Sequence, residues 1–443
     1  MSHGGVLLTV GGSDPSAGAG IQADIKTFEV MGVYGASVIT SVTVQNTVSF
    51  IRRYDLPPDL IRSQIRAIME DMDVRLAKVG MLGGSETIKL VAEELSGFRV
   101  PFILDPVIRS STGGVLLDTD ALETLKTELL PHAYLVTPNI PEAEMLTGIE
   151  IRAIEDERAA AIAIKKIGAE NVIITGGHLE GADLLLDQDG RFSTIGGELG
   201  LIEGDWHGTG CTYTAALAAN LATGKSLIDA ANAAKRFVVD AMRFAHPVGK
   251  GLIPLNHAGR LIRDRDRYLV LEDVKAAVDE VLRHNFVPFL PEVGSNIAVA
   301  IPGAATRDDV AAVSGRIVRC GNRAVQVGPV EFGASDHIAR VILAMMRFDP
   351  AMRACCNVRY SDEIIRACSD IGLEMAEFVR EDEPEGERTM DWGVRSVIER
   401  LGHVPDVIYD LGGMGKEPMI RITGKEGKDL VSKVVKLIGA LES

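Results

Sequence analysis

The run Asp205-Trp-His-Gly-Thr-Gly-Cys-Thr-Tyr-Thr-Ala-Ala-Leu-Ala-Ala219 holds residues whose types and spacing could do chemistry. Gly208, Thr209 and Gly210 are small and stand directly before a helix-forming Ala/Leu stretch. Such a turn points backbone N–H groups outward at the positive end of a helix dipole, which suits a phosphate or a phosphoryl group in transfer. Cys211 closes the turn, and a thiol beside an anion site at a helix start should have its pKa lowered. The same pattern also serves as a plain tight connection, so the rest of the chain has to decide between the two.

Further polar groups follow apolar runs that read as strands, where ligands bind in parallel sheets. Gly11 opens the permissive loop Gly11-Gly-Ser-Asp-Pro-Ser-Ala-Gly-Ala-Gly20, and Gln45 heads Gln45-Asn46-Thr47, offering both a donor and an acceptor to a neutral heterocycle. Asp105 ends a strand before Pro106 and Val107. Asn139 and Glu142 lie across a helix start, where their oxygens could hold Mg²⁺ on a nucleotide. Equally, Asn139 could be an N-cap with Glu142 as its capping-box partner. Gly176, Gly177 and His178 form a glycine turn after Thr175, with His178 read as a loop residue rather than a base.

These residues need a scaffold, and the chain can supply one. Its 443 residues suffice for two or three domains, and 46% hydrophobic with 24% charged residues is an ordinary globular composition. A net charge of −16 argues against a nucleic-acid partner, because neutralising a phosphate backbone needs a basic face. Five cysteines without a framework or zinc spacing read as reduced and cytosolic. No signal peptide or apolar membrane span is expected.

Over about the first 250 residues, short apolar runs alternate with amphipathic ones. Strands are predicted at Val6–Val10, Ala36–Val44, Leu76–Met81, Pro101–Val107, Tyr134–Thr137 and Asn171–Thr175. Helices are predicted at Gly20–Met31, Leu60–Asp71, Glu86–Leu95, Ala121–Leu129 and Glu155–Ile167. This β-α repetition implies a doubly wound, mostly parallel sheet. A hairpin turning at Asp189-Gly190 and two helices, from Cys211 and from Leu227, close the unit. The expected division is 1–257, a linker at 258–270, and a second, smaller α/β domain at 271–443. That second part is predicted to start with a helix at Leu271–His284 and to hold one strand over Val325–Glu331.

In the second part, Arg316 follows a glycine, and Ser335 or Asp336 reads as an N-cap that leaves His337 and Arg340 on one helix face. An Arg, a His and a helix start together would suit a diphosphate; a capped helix with solvated charges would look the same. Asn357 and Arg359 on a strand, and the glycine loop Gly412–Lys416 without Walker spacing, are further candidates.

The first part resembles the hydroxymethylpyrimidine and hydroxymethylpyrimidine-phosphate kinases of the ribokinase-like superfamily. The resemblance spans about residues 4–255 and rests on GGSDPSAGAGIQAD (11–24), QNT (45–47), KVGML (78–82), DPV (105–107), TPNIPEAE (137–144), GGH (176–178), HGTGCT (207–212) and GKG (249–251). It implies a ribokinase-like α/β fold that phosphorylates a pyrimidine alcohol and then its monophosphate, with ATP and Mg²⁺. Gly11, Asp24, Gln45, Met81 and Val107 would surround the pyrimidine. Asp105, Asn139, Glu142, Gly176 and Gly177 would serve the nucleotide and phosphates, with Asp105 and Glu142 at the metal. The amides of Gly208, Thr209 and Gly210 would stabilise the phosphoryl group, with Cys211 either the base or only a packed small residue. Two departures stand out: Thr175 replaces a frequent Lys, and the tail at 249–254 lacks a Gly before Pro254.

Residues 271–443 are similar to the archaeal-type thiamine-phosphate synthase domain, on FGASDHIAR (332–340), NVRYSDEI (357–364) and DLGGMGK (410–416). That similarity implies coupling of hydroxymethylpyrimidine diphosphate to thiazole phosphate, with Arg316 and His337 binding the departing pyrophosphate. It also implies small-molecule partners only, a cytoplasmic enzyme, and a homodimer or higher homo-oligomer by analogy. The alternatives are a kinase whose second domain senses thiamine phosphate or a precursor, and a pyridoxal-type kinase.

Overall fold

The computed structural model is described over residues 5–109, 113–118, 120–179, 181–196, 202, 204–379, 389–413 and 415–442, the side chains of 177–179 and 389–391 excepted. It divides into two compact units, Met1–Leu261 and Ile262–Ser443.

The first unit opens with β1 (Val6–Ser13), α1 (Gly20–Val30), β2 (Tyr34–Gln45), β3 (Phe50–Asp55), α2 (Pro58–Met69), β4 (Val74–Val79), α3 (Ser85–Phe98) and β5 (Phe102–Leu104). It continues through α4 (Ala121–Thr124), β6 (Leu135–Val136), α5 (Ile140–Thr147), α6 (Ile154–Ile167), β7 (Asn171–Leu179), β8 (Ala182–Leu186) and β9 (Phe192–Ile195). It closes with β10 (Trp206–His207), α7 (Thr209–Ala222), α8 (Leu227–Arg243) and β11 (Ile253–Pro254). The main sheet runs β3-β2-β1-β4-β5-β6-β7-β8-β9. From β2 to β7 every pair is parallel, and antiparallel strands close both edges.

Alternation along the strands produces the double winding. Leu7, Leu76, Ile103, Leu135 and Ile173 pack with α1, α7 and α8 on one face. Leu8, Ala77, Leu104, Val136 and Val172 pack with α2, α3 and α6 on the other. The predicted strands and helices are present with small changes of boundary. Three strands escaped the sequence reading: β3, which reads as polar because Arg52 and Arg53 sit at the sheet edge, and the two-residue β10 and β11; the helix start read at Asn139 is that of α5.

The segment 258–270, expected as a linker, is instead the first half of a continuous helix, α9 (Gly259–Leu282), and the division between units falls inside it. Its mixed charges look like a linker in sequence, yet nothing in Arg260–Arg267 is incompatible with helix.

The second unit continues with β12 (Ile297–Ala300), β13 (Val310–Val313), β14 (Ile317–Cys320), β15 (Arg323–Gln326), β16 (Val330–Phe332), α10 (Asp336–Met346), β17 (Ala354–Arg359) and α11 (Asp362–Asp370). After these come β18 (Met375–Glu377), α12 (Thr389–Leu401), β19 (Val407–Asp410), β20 (Met419–Gly424) and α13 (Gly427–Glu442). The single strand expected at Val325–Glu331 is two pieces in different sheets, because Gly328-Pro329 interrupts pairing between β15 and β16. The larger sheet, β16-β13-β12-β17-β20-β19-β18, is antiparallel except for β18 with β19. One face packs on α9, α11 and α13, the other on α10 and α12.

At the edge of that core Arg421 Nη1 lies 2.8 Å from Asp410 Oδ2, with side-chain exposures of 1% and 0%. Removing one partner of such a pair strands a buried charge, so Arg421→Met should destabilise the second unit by about 3–5 kcal/mol, whereas Arg421→Met/Asp410→Asn should recover most of the loss. Urea titration of the full chain, following the second unit's transition, checks this.

Candidate active site

The carboxyl ends of the parallel strands open into a cleft of about 540 Å³. Its walls include Gly11, Asp24, Gln45, Met81, Asp105, Val107, Asn139, Glu142, Gly176, Gly208, Thr209, Gly210 and Cys211. Candidates scattered across two hundred residues of sequence are thus brought to one place. Gly177 follows Gly176 on β7, and the side chain of His178 lies outside the described residues.

The glycine turn is built as its composition requires. Gly208 caps α7 with φ +84°, and a Cβ there would lie 1.8 Å from the carbonyl oxygen of Gly18. The turn and the Gly11–Gly20 loop therefore approach closer than any side chain permits. Thr212 is the first residue of α7 to bond back, to the Gly208 carbonyl at 3.0 Å, so the first-turn N–H groups of Thr209, Gly210 and Cys211 have no carbonyl one turn earlier.

Asp14, which the sequence did not single out, organises the facing loop. Its carboxylate accepts from the Ser16 N–H at 2.9 Å and the Ala19 N–H at 2.8 Å, and lies 3.0 Å from His207 Nε2. Burial alone would raise its pKa, but these donors, together with Ser16 Oγ and Gln45, hold it well below the carboxylate range. Gln45, expected at the pyrimidine, thus also bonds to Asp14.

On the cleft floor stands Lys78, 2% exposed. Its Nζ is 3.1 Å from Asp24 Oδ2 and 3.4 Å from Asp105 Oδ2, and Thr9 donates to the same Asp24 oxygen at 2.6 Å. Asp24, expected as a substrate contact, is therefore also the counter-ion of a buried lysine. Burial would lower the Lys78 pKa, but Asp24, Cys211 and Asp105 overcome it and the ammonium stays charged. A lysine in the apolar run Leu76–Leu82 was the available signal, and its meaning depended on neighbours distant in sequence.

Asn139 and Glu142 form a complete capping box: Asn139 Oδ1 accepts the Glu142 N–H at 2.9 Å, and Glu142 Oε2 accepts the Asn139 N–H at 3.0 Å. The capping reading holds, and it leaves the other oxygen of Glu142 out of the box. Burial, with Asp105 adding to it, pushes the Glu142 carboxyl from 4.5 up to about 8, against the N–H groups of Asn139 and Ile108.

Cys211 reverses its expectation. The helix start should lower a thiol, yet burial of this half-buried side chain pushes it up to about 12, with Asp105 and Asp24 adding and Lys78 opposing. The carboxylates and the apolar wall outweigh the dipole.

In the second unit the structure does not bring Arg316 and His337 together. Arg316 follows the end of β13, whereas His337 follows β16, and β16 ends against the beginning of β13. The two residues therefore lie towards opposite ends of one strand. Arg316 has φ +70° and donates to the Val293 carbonyl. At its end of the sheet are Asn357, which donates to the Gly294 carbonyl at 3.2 Å, and Arg359, opposite Met419. Gly412 is there too, its N–H bonded to Asp410 at 3.0 Å. Arg340, expected beside His337, is paired with Asp336 at 2.5 Å.

Set beside known proteins, residues 14–256 match the family model for phosphomethylpyrimidine kinase and residues 273–436 that for the thiamine-phosphate synthase ThiN. The chain is 35% identical over 97% of its length to the bifunctional thiamine biosynthesis protein ThiDN of Methanocaldococcus jannaschii, covering 97% of that protein. It is 42% identical to the hydroxymethylpyrimidine/phosphomethylpyrimidine kinase of Rhizobium meliloti, over 58% of this chain and 99% of that one. Among solved structures it is similar to the Staphylococcus aureus pyridoxal kinase in complex with pyridoxal, with a TM-score of 0.53 and 34% identity over 58% of this chain and 94% of that one.

The raised Glu142 gives a pH prediction. A carboxyl raised on folding takes up a proton, so its contribution to stability falls as pH rises from 4.5 to about 8. Glu142→Gln keeps the capping acceptor without the charge. The ligand-free variant should match wild type below about pH 4.5 and gain on it steadily towards pH 8, by thermal unfolding across that range.

Proposed function

The chain belongs to the bifunctional thiamine-biosynthesis family that joins a phosphomethylpyrimidine kinase to a ThiN synthase; from that premise we propose how its residues divide the work. The first unit phosphorylates hydroxymethylpyrimidine and its monophosphate with ATP, and the second joins the diphosphate to thiazole phosphate, releasing pyrophosphate. The observation that carries the first half is the pairing of the Gly208–Gly210 turn with the Lys78 floor in one cleft.

Gly11, Asp24, Gln45, Met81 and Val107 would hold the pyrimidine, and Asn139, Gly176 and Gly177 the nucleotide. Asp105 and Glu142 fit a divalent cation: each is buried, Asp105 Oδ2 has no hydrogen-bond partner among the described residues, and Asp105 raises the Glu142 carboxyl. Mg²⁺ held there would neutralise phosphate charge. The amides of Gly208, Thr209 and Gly210 stabilise the phosphoryl group as preorganised donors. A thiol near 12 is no ready base, so the transfer rests on positioning and charge, as a loose transition state allows.

In the second unit Arg316 would serve the pyrophosphate, with Arg359 and the Gly412 loop at its end of the sheet, while His337, at the other end of β13, would not share that group. A homodimer or higher homo-oligomer and a cytoplasmic location belong to the same reading; the exposed Ile51 and Tyr54 of the β3 edge support self-association. The likeness to a pyridoxal kinase favours one second reading, pyridoxal-type phosphorylation in the same cleft.

Incubated with hydroxymethylpyrimidine, ATP, Mg²⁺ and thiazole phosphate, the protein should give thiamine phosphate by mass spectrometry. Pyrimidine diphosphate without coupling would make the second unit a sensor, and faster turnover of pyridoxal than of the pyrimidine would favour the second reading. Within the kinase reaction, Cys211→Ala should lower kcat by less than the roughly 10²–10⁴ of a lost general base. Gly208→Ala, which clashes with Gly18, should cost more than a hundredfold, on the order of a lost oxyanion donor.

A further inference from the structure

At the far side of the cleft from Gln45, an ion pair has no part in the reading above. Lys235 on α8 places Nζ 2.8 Å from Asp183 Oδ1 on β8, with side-chain exposures of 18% and 0%. The same Asp183 oxygen accepts the N–H of Gly176 at 3.1 Å. Lys235, Asp183 and Gly176 all line the cleft that holds Thr209 and Gly210.

Two consequences follow from this geometry. Gly176 has φ +71°, nothing among the described residues lies within 4 Å of its Cβ position, and the turn is held by the Thr175 N–H bond to the Pro138 carbonyl and by the Gly176 N–H bond to Asp183. That N–H is also committed and is not a donor to phosphate. Second, a buried carboxylate behind an anion-binding turn repels the anion unless a cation cancels it. Burial, with Glu157 adding to it, raises the Asp183 pKa on balance, and Lys235 and the Gly176 N–H are the groups that oppose it, so the charge is costly without them.

We propose that Asp183 and Lys235 are a charge-balanced pair of positioning residues for a nucleoside triphosphate: Asp183 fixes the turn at Gly176, and Lys235 cancels the carboxylate where the phosphates lie. This rests on the kinase reading of the cleft. Lys235 acts through Asp183, not by touching the nucleotide, and a double-mutant cycle separates the two roles: only the first predicts recovery when Asp183 is neutralised as well.

The test is KM for ATP and for hydroxymethylpyrimidine, with ADP binding by calorimetry, on wild type, Lys235→Met, Asp183→Asn and the double variant. Lys235→Met strands the carboxylate and should weaken ATP and ADP by about tenfold or more, with the pyrimidine KM changing less than about twofold. In the double variant an Asn carbonyl can still accept the Gly176 N–H without charge, so nucleotide affinity should return to within about threefold of wild type. A double variant as weak as Lys235→Met would overturn the proposal, since Lys235 would then be a phosphate ligand. Equal shifts in both KM values would overturn it in favour of general disruption. If Lys235→Met does not fold, the double variant against wild type decides by the same threefold criterion. If wild type phosphorylates no pyrimidine, the kinase reading fails, while ADP calorimetry still judges the pair.

Discussion

The cleft of the first unit depends on one buried cation. Lys78 is nearly sealed from solvent, and its ammonium stands between Asp24 and Asp105, which belong to opposite ends of the site. An unpaired charge at that depth would be untenable, so the three groups stand or fall together. The fold makes the cluster possible: β4 and β5 are adjacent and parallel, which puts Lys78 beside Asp105, and α1 packs back over β1 to deliver Asp24. Gly80 completes it, because a Cβ there would meet Lys78 Nζ at 3.0 Å. A pyrimidine held at Asp24 and a metal–phosphate group held at Asp105 would thus be tied through one side chain.

Much of this was legible in the sequence and some of it was not, for physical reasons. The glycine turn at 208–210 was legible because only glycine tolerates both its φ and the approach of Gly18. The parallel strands were legible because burial on both faces demands unbroken apolar runs such as Val6–Val10 and Asn171–Thr175. The Lys78 cluster, the Asp14–His207 pair and the Asp183–Lys235 pair were not, since each joins residues from separate elements. Cys211 misled because helix-start chemistry is local and visible, whereas the burial that chiefly raises its thiol, and the Asp105 and Asp24 carboxyls that add to it, come from elements distant in sequence.

The second unit shows where local motifs stop short. Its strands are amphipathic enough to be found singly, but direction and order are tertiary facts. The antiparallel order places Asn296, Asn357, Arg359 and the start of β20 at one sheet end. Gly412, anchored through Asp410 to Arg421, joins them there, and Arg316 follows β13 towards the same end. His337 belongs to another neighbourhood, at the start of α10. A diphosphate reader built from Arg316 would therefore draw its partners from Arg359 and the glycine loop before it drew on His337.

The charge count of the first cleft makes the final link to function. Lys78 faces the carboxyl groups of Asp24 and Asp105. Glu142, near 8, is largely protonated at neutral pH, and Cys211, near 12, is a thiol. The acidic groups of the floor outnumber its one lysine, beside a turn whose amides are disposed to bind an anion. A divalent cation held by Asp105 and Glu142 would reconcile the two, because the carboxyl groups would then share an ion. The same event would relieve the carboxylates' pressure on Cys211. Burial first, and acidic neighbours second, thus raise both the Glu142 carboxyl and the Cys211 thiol, and a positive charge beside Asp105 would ease both.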